Sequence, residues 1–278
     1  MNINNCNKED FMEDLTVALG KLEDGGTRDT GDIISDDELF KQPPPKEDCP
    51  ICLLRLPLLG YVYKSCCGKI ICCGCRHAPV KDNLGNTIIE EKCPFCRTPT
   101  HESDEEYNEW LQKRVEVGDA EAIFTLGCYY RDALDGFPQD DVKAFELFVR
   151  AGDLGHTKAY CNVGYAYEIG RGVDIDEKKA KYYYELAAMG GEAAARHYLG
   201  AFEELDGNHH RAIKHWVIAA GGGDHDSLKA MQGMYTDGHA TKDDYTKALK
   251  SYQVYLDEIK SDQRDKVALA GEKYKYIE

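Results

Sequence analysis

Residues 163–195 read VGYAYEIGRGVDIDEKKAKYYYELAAMGGEAAA, and the glycine near the start of this stretch recurs through the second half of the chain. Gly127, Gly164, Gly200 and Gly233 are separated by 37, 36 and 33 residues. A period of this length is typical of stacked helix pairs. A single pair cannot bury its apolar face, whereas stacked pairs share a continuous core. The sequence therefore predicts a helical repeat solenoid that begins near residue 118.

A second series of small residues predicts the other helix of each pair. It consists of alanines, each followed four positions later by an aromatic residue: Ala144 and Phe148, Ala180 and Tyr184, Ala212 and Trp216, Ala248 and Tyr252. Small residues let two helices approach closely, and an aromatic ring one turn further on fills the gap between them. Gly200 and Ala212 are 12 residues apart, against 17 for Gly127 and Ala144. We therefore expect a shortened loop in the third pair rather than a missing helix.

Two stretches of the repeat region resemble a known family. Residues 126–159 (LGCYYRDALDGFPQDDVKAFELFVRAGDLGHTKA) and residues 163–195 are similar to the Sel-one-like repeat, a relative of the tetratricopeptide repeat. The resemblance covers residues 118–256 and implies a right-handed superhelix that serves as a scaffold for protein partners. Residues 261–276 are expected to form a capping helix, which completes a solenoid at 118–278. Ser103 and Glu106 form a capping-box pattern that predicts a connecting helix at 103–117.

Cysteine is concentrated in the segment before the repeats. Nine of the 12 cysteines lie between Cys49 and Cys96, and clustering of that kind favours a metal site over disulfides. The segment contains a doublet and three CxxC pairs: Cys66–Cys67, Cys49–Cys52, Cys72–Cys75 and Cys93–Cys96. Each CxxC turn brings two thiolates within about 2.3 Å of one zinc ion, and two such pairs complete a tetrahedron. The cysteines outnumber one tetrahedron, so two zinc ions are predicted.

The cysteine spacing at residues 47–100 resembles the RING finger, whose ligand pairs interleave in a cross-brace. The overall expectation is thus a mainly α protein, with a small two-zinc cross-brace RING finger followed by an α-helical repeat solenoid. The resemblance implies four ligands for the first zinc: Cys49, Cys52, Cys72 and Cys75. It implies three for the second: Cys67, Cys93 and Cys96.

The fourth ligand of the second zinc departs from the commoner RING pattern. The position that usually holds a histidine is Lys69, whose ammonium group has no lone pair to give at neutral pH. Cys66 is the preferred donor, and three other residues are alternatives: His77, His101 and Cys73. The segment SCCGKIICCGC (65–75) also resembles that of RING-plus-repeat proteins of unicellular algae, which favours Cys66.

A RING finger contains no catalytic nucleophile of its own. By resemblance, it docks a ubiquitin-conjugating enzyme and turns its ubiquitin thioester toward a lysine of the target, so that the acceleration comes from positioning. Ile51, Pro94 and, more weakly, Ile71 match the family's docking surface. Arg97 follows the last ligand, where a forked guanidinium bridges the conjugating enzyme and ubiquitin. An apolar residue between ligands also often only covers the zinc.

Two functional interpretations follow. The preferred one is a RING-type E3 ubiquitin ligase whose finger recruits the conjugating enzyme while the solenoid holds a protein target. The alternative is a non-catalytic adaptor in which the zinc finger is a protein-interaction module. Fold alone does not choose between them.

Composition and the N-terminal sequence exclude other classes. Residues 1–46 are acidic and end in Pro43–Pro45, so they are predicted to form a disordered tail, within which residues 11–22 have the spacing of one short amphipathic helix. The formal net charge of −16 disfavours a nucleic-acid partner. The N-terminal residues carry neither a basic flank nor an apolar run, so we expect a soluble cytoplasmic or nuclear protein without membrane contact.

Overall fold

The computed structural model describes residues 34–41, 44, 46–78, 80–81, 87–88, 92–101 and 103–269. Most of the predicted tail, including the amphipathic pattern at 11–22, lies outside the described residues. The end of the predicted capping segment, beyond residue 269, lies outside them as well.

The first part of the chain forms short elements. They are α1 (Asp36–Leu39), β1 (Tyr61–Lys64), β2 (Lys69–Cys72), α2 (Cys73–Arg76), β3 (Val80–Lys81) and β4 (Thr87–Ile88). The strands β1 and β2 pair in antiparallel fashion, as do β3 and β4. Lys64 lies opposite Lys69, so residues 65–68 form the tip of the first hairpin. Gly68 has a φ of +70°, a conformation that glycine adopts without steric cost.

The rest of the chain consists of ten helices within the described residues. They are α3 (Asp104–Glu116), α4 (Ala120–Asp132), α5 (Asp141–Asp153), α6 (Thr157–Ile169), α7 (Glu177–Met189), α8 (Ala193–Leu205), α9 (His209–Gly221), α10 (His225–Thr236), α11 (Lys242–Ile259) and α12 (Asp262–Ala268). The predicted start of α3 is observed, since the Ser103 hydroxyl accepts from the Glu106 amide at 3.3 Å. The expectation of a mainly helical repeat solenoid is confirmed. None of the described helices is both long and apolar enough to cross a bilayer.

The glycine and aromatic series meet inside the helix pairs. A Cβ atom built on the glycine would lie within 3 Å of the aromatic side chain in three cases: 2.8 Å for Gly127 and Phe148, 2.9 Å for Gly164 and Tyr184, and 2.5 Å for Gly200 and Trp216. The glycines therefore allow the rings to pack directly against the partner helix. In the fourth pair this relation is absent, because no described atom outside the adjoining backbone lies within 4 Å of a Cβ built on Gly233.

The third pair keeps both of its helices. Helices α8 and α9 have 13 residues each, the same length as α4 and α5. Only residues 206–208 connect α8 to α9, whereas residues 133–140 connect α4 to α5. The shorter spacing from Gly200 to Ala212 thus comes from a trimmed loop, as the sequence predicts.

The finger (residues 47–100) packs against both ends of the helical region. Near the beginning, the Tyr63 hydroxyl donates to Asp119 at 2.9 Å, and Asp119 also pairs with Arg114. Near the end, the Leu58 amide donates to the Tyr255 hydroxyl at 3.0 Å. Contacts at two separate places fix the finger relative to the solenoid, so the short link from Cys96 to Ser103 is not the only connection.

The segment around α1 differs from the predicted disordered tail. Leu39 is fully buried against α7 and α8, and Arg196 donates to its carbonyl oxygen. The Phe40 ring lies 4.7 Å from the ring of His215, and Asp36 pairs with Arg211. The prediction for these residues is therefore corrected: one Leu-Phe pair within an acidic stretch is enough to bury apolar surface on the solenoid.

Replacing a helix glycine by alanine should have opposite effects in the third and fourth pairs. Gly200→Ala forces a methyl group into the Trp216 ring, and overpacking of this kind costs about 1–3 kcal/mol of unfolding free energy. Gly233→Ala adds a methyl group in open space and removes backbone freedom from the unfolded chain, so it should stabilise the protein by up to about 1 kcal/mol. Urea unfolding of the two variants checks this. Equal effects would contradict the packing described above.

Candidate metal centre

The first cluster joins two turns of the finger. The Sγ atoms of its four residues lie within 4.8 Å of one another: Cys49, Cys52, Cys72 and Cys75. Cys49 and Cys52 come from the tight turn before β1, which is closed by a hydrogen bond from the Leu53 amide to the Cys49 carbonyl at 2.8 Å. Cys72 ends β2 and caps α2, because its sulfur accepts from the Cys75 amide at 3.4 Å.

The second cluster joins the tip of the first hairpin to the last CxxC turn. Its four Sγ atoms also lie within 4.8 Å of one another: Cys66, Cys67, Cys93 and Cys96. The Arg97 amide donates to the Cys93 carbonyl at 3.0 Å and closes the turn that carries both Cys93 and Cys96. Arg97 itself has a φ of +59°, in the left-handed region.

Both clusters fit a tetrahedral metal ion. Four sulfurs at about 2.3 Å from one ion lie about 3.8 Å apart. The Sγ atoms of Cys52 and Cys72 are 3.9 Å apart, and those of Cys67 and Cys93 are 3.7 Å apart. The two sets of four cysteines can therefore hold metal ions. Along the chain their members alternate, since the first and third pairs form one cluster and the second and fourth form the other.

Cys66 lies in the second cluster, where its sulfur is the fourth one beside those of Cys67, Cys93 and Cys96. Of the alternatives, His101 packs its ring against Tyr107, with centroids 5.0 Å apart, and belongs to neither cluster. Cys73 is buried and also lies outside both clusters. Lys69 is exposed at the end of the hairpin.

The thiols of each cluster do not ionise equally. Burial opposes ionisation of Cys49, but backbone amides, first that of Cys72, outweigh it and lower the pKa to about 7. Burial also acts on Cys96, and hydrogen bonding with Thr98 outweighs it to bring the pKa to about 6. Burial and neighbouring sulfurs raise the pKa of Cys66 and Cys75. Four thiolates in one cluster therefore need a cation among them.

The four residues proposed to contact a conjugating enzyme differ in exposure. Ile51 is 42% exposed, and Pro94 and Arg97 are also exposed. Ile71 is completely buried and packs against Cys49 and other cysteines of the first cluster. Ile71 therefore has no surface to offer a partner and belongs to the core of the finger.

Three further residues near the clusters were not predicted from the sequence. Leu53 is 75% exposed and Phe95 is 37% exposed, and both lie next to or between ligands. Their signal is an apolar side chain in a turn otherwise made of ligands, the same signal that Ile51 gives. The third residue, Arg264 of α12, lies 3.6 Å through its Nη2 atom from the Cys52 sulfur. No local pattern indicates this long-range contact.

Serine substitutions should separate the ligands from the other cysteine of the finger. Cys66→Ser removes one of four sulfurs, so the protein should retain one metal ion rather than two after a mild chelator wash. Cys73→Ser is the matched control, and His77→Ala tests the alternative donor; both should retain two ions. Native mass spectrometry gives the count. Loss of an ion in His77→Ala, with both ions kept in Cys66→Ser, would exclude the assignment of Cys66.

Comparison with known proteins concerns the helical part of the chain. The Sel1 repeat family model matches residues 120–156 and 157–192, which contain α4 to α7. A Sel1 repeat protein from Oxalobacter formigenes is similar, with 26% identity and a TM-score of 0.49 over 55% of this chain and 64% of that one. So is c5321, a protective antigen of uropathogenic Escherichia coli that displays an SLR fold, with 21% identity and a TM-score of 0.49 over 65% and 39%.

The chain thus spans less than two thirds of either of these proteins. The repeated packing of the helices extends beyond the family match, because it also includes Gly200 and Trp216. Residues 120–192 match the Sel1 repeat twice, and they contain the first four repeat helices of the solenoid.

Proposed function

We propose that this protein is a Sel1-repeat interaction scaffold whose finger binds two zinc ions and acts as a RING-type ubiquitin ligase module. The observation that carries the proposal is the alternation of the two four-cysteine clusters along the chain. Alternating pairs tie distant turns together in the manner of a cross-brace. Sulfur donors at tetrahedral spacing suit zinc.

The surface beside the clusters supports the ligase part of the proposal. Ile51, Leu53 and Phe95 are apolar and exposed, although the finger buries other apolar groups against the solenoid. An apolar side chain that is exposed at a ligand turn is available to a protein partner. In the proposed complex, Ile51 and Pro94 contact the conjugating enzyme, and Arg97 donates hydrogen bonds to it and to ubiquitin.

The proposed mechanism requires no nucleophile from this chain. The target supplies the attacking lysine, and the conjugating enzyme supplies the ubiquitin thioester. When bound, zinc holds the finger in shape. The chain's own contribution is to place the two reactants near each other, and the fixed contacts of Tyr63 and Leu58 with the solenoid limit the geometries that must be searched.

A second candidate function is a zinc-stapled adaptor without ligase activity. Two observations favour it: Ile71 is buried rather than available to an enzyme, and Sel1 repeats account for protein binding without any reaction. In this case the finger recruits a second protein through the same exposed residues.

Self-ubiquitination in vitro tests the ligase proposal. With a broad panel of conjugating enzymes, the zinc-loaded protein should form ubiquitin chains with at least one of them. Ile51→Ala should lower the rate about tenfold, since truncating a central interface side chain commonly costs more than 1 kcal/mol of binding. Arg97→Ala should lower it as well. Leu205→Ala, which changes a leucine 83% exposed on the solenoid, should leave the rate unchanged.

Zinc content must be equal in all variants for the comparison to hold. Two ions in every variant, with no chains formed by any enzyme of the panel, would reject the ligase and leave the adaptor.

A further inference from the structure

The side chain of Arg264 reaches from the solenoid into the finger. It is 2% exposed, although it belongs to the short terminal helix α12. Its Nη1 atom donates to the carbonyls of Ile259, at 2.6 Å, and Arg55, at 2.9 Å. Its Nη2 atom points to the Leu54 carbonyl, at 3.4 Å, and to the Cys52 sulfur, at 3.6 Å. One guanidinium therefore bridges the end of α11, the turn after the first ligand pair, and a sulfur of the first cluster.

Helix α12 also fits closely on the turn between the other two ligands. Gly74 lies between Cys72 and Cys75, and a Cβ atom built on it would lie 2.8 Å from Cγ of Arg264 and 3.2 Å from its Cα. The side-chain amide of Gln263 donates to the Gly74 carbonyl at 2.7 Å. The helix thus contacts the backbone of both ligand turns of the first cluster, and the absence of a side chain at Gly74 permits this contact.

The charge of Arg264 is not balanced by a carboxylate among the described residues. Its guanidinium donates to three carbonyls and the Cys52 sulfur, and it also interacts with the Cys72 sulfur. Its Nε atom is buried without a partner in the described structure. A buried cation without a counter-charge is costly. Four thiolates around a divalent ion carry a net charge of −2, whereas four protonated thiols carry none. The loaded cluster would therefore supply the missing negative charge.

The arginine of the solenoid that lies beside the second cluster has a different environment. Arg114 lies against Gly68 beside the second cluster, but its guanidinium pairs with the Asp119 carboxylate and contacts Tyr63. Its charge is balanced whether or not the second cluster holds a metal. Arg264 differs from Arg114 in that no carboxylate among the described residues pairs with it.

We propose that Arg264 is a positioning residue for the first metal ion, so that metal binding at Cys49, Cys52, Cys72 and Cys75 and docking of α12 stabilise each other. The proposal rests on the metal binding of the proposed function. It makes the C-terminal end of the solenoid sensitive to metal occupancy in the finger. Because the coupling is thermodynamic, metal binding shifts the docking equilibrium of α12 by the same factor by which docking of α12 shifts the metal affinity.

Hydrogen exchange of the full-length protein measures one direction of the coupling. Chelation of zinc should speed the amide exchange of residues 262–268 at least tenfold, while helix α6 keeps its protection. In Arg264→Met, which keeps the length of the side chain without its charge, these amides should exchange rapidly even with zinc bound. Arg264→Lys retains the charge but lacks the forked guanidinium, so its amide exchange rates at residues 262–268 should lie between those of the zinc-bound wild type and of Arg264→Met.

Zinc transfer to a colorimetric chelator measures the other direction. In Arg264→Met, one of the two ions should leave at least tenfold faster than in the wild type, and the other at the wild-type rate. Arg171→Met is the matched control, since Arg171 pairs with Asp141 in the solenoid at 2.7 Å. This variant should release both ions at the wild-type rates.

The outcomes separate this inference from the proposed function. If the wild-type protein binds no zinc, both the proposed function and the coupling are wrong. The coupling alone is wrong if the wild-type protein binds two ions but chelation leaves the exchange of α12 unchanged. It is also wrong if both ions leave Arg264→Met at the wild-type rate. In either case Arg264 only donates hydrogen bonds to carbonyls. If Arg264→Met does not fold, the wild-type exchange experiment and Arg264→Lys still decide.

Discussion

Around the first cluster, the core of the finger consists largely of the sulfur atoms that would bind metal. Ile71 is fully buried there, and its buried neighbours are Cys49, Cys72 and Cys75. A module of this size with so little apolar burial does not hold itself together without additional links. The conformation of the finger, the exposure of Ile51 and the contacts with the solenoid therefore all depend on what binds the two sets of four cysteines.

The solenoid compensates for part of this weakness. Tyr63 joins the core that surrounds α3 to α6, and Leu58 packs with Tyr255 and Ile259 near the other end. The finger thus obtains from the repeats apolar burial that its own residues do not provide. Repeat proteins are stabilised mainly by contacts between neighbours. Here the finger is an additional neighbour that contacts two distant parts of the array at once.

Local patterns in the sequence predicted the parts of the structure that depend on local spacing. The period of the glycines gave the helix pairs, and the gap from Gly200 to Ala212 gave the trimmed loop. The resemblance to the RING finger grouped the same cysteines that the structure brings together. Docking of Leu39, burial of Ile71 and the contact of Arg264 with Cys52 were missed, because each depends on which distant surfaces meet. Nothing in the residues around Arg264 distinguishes it from an exposed helix arginine.

The close approach of Gly127, Gly164 and Gly200 to the rings of the partner helices ties positions that lie 16 to 21 residues apart in sequence. At each of these positions, a change on one helix is tolerated only with a compensating change on the other. An alanine at 200 requires a smaller side chain than tryptophan at 216. We expect related sequences to vary at these sites in pairs, and the fourth pair, where Gly233 faces open space, to vary one residue at a time.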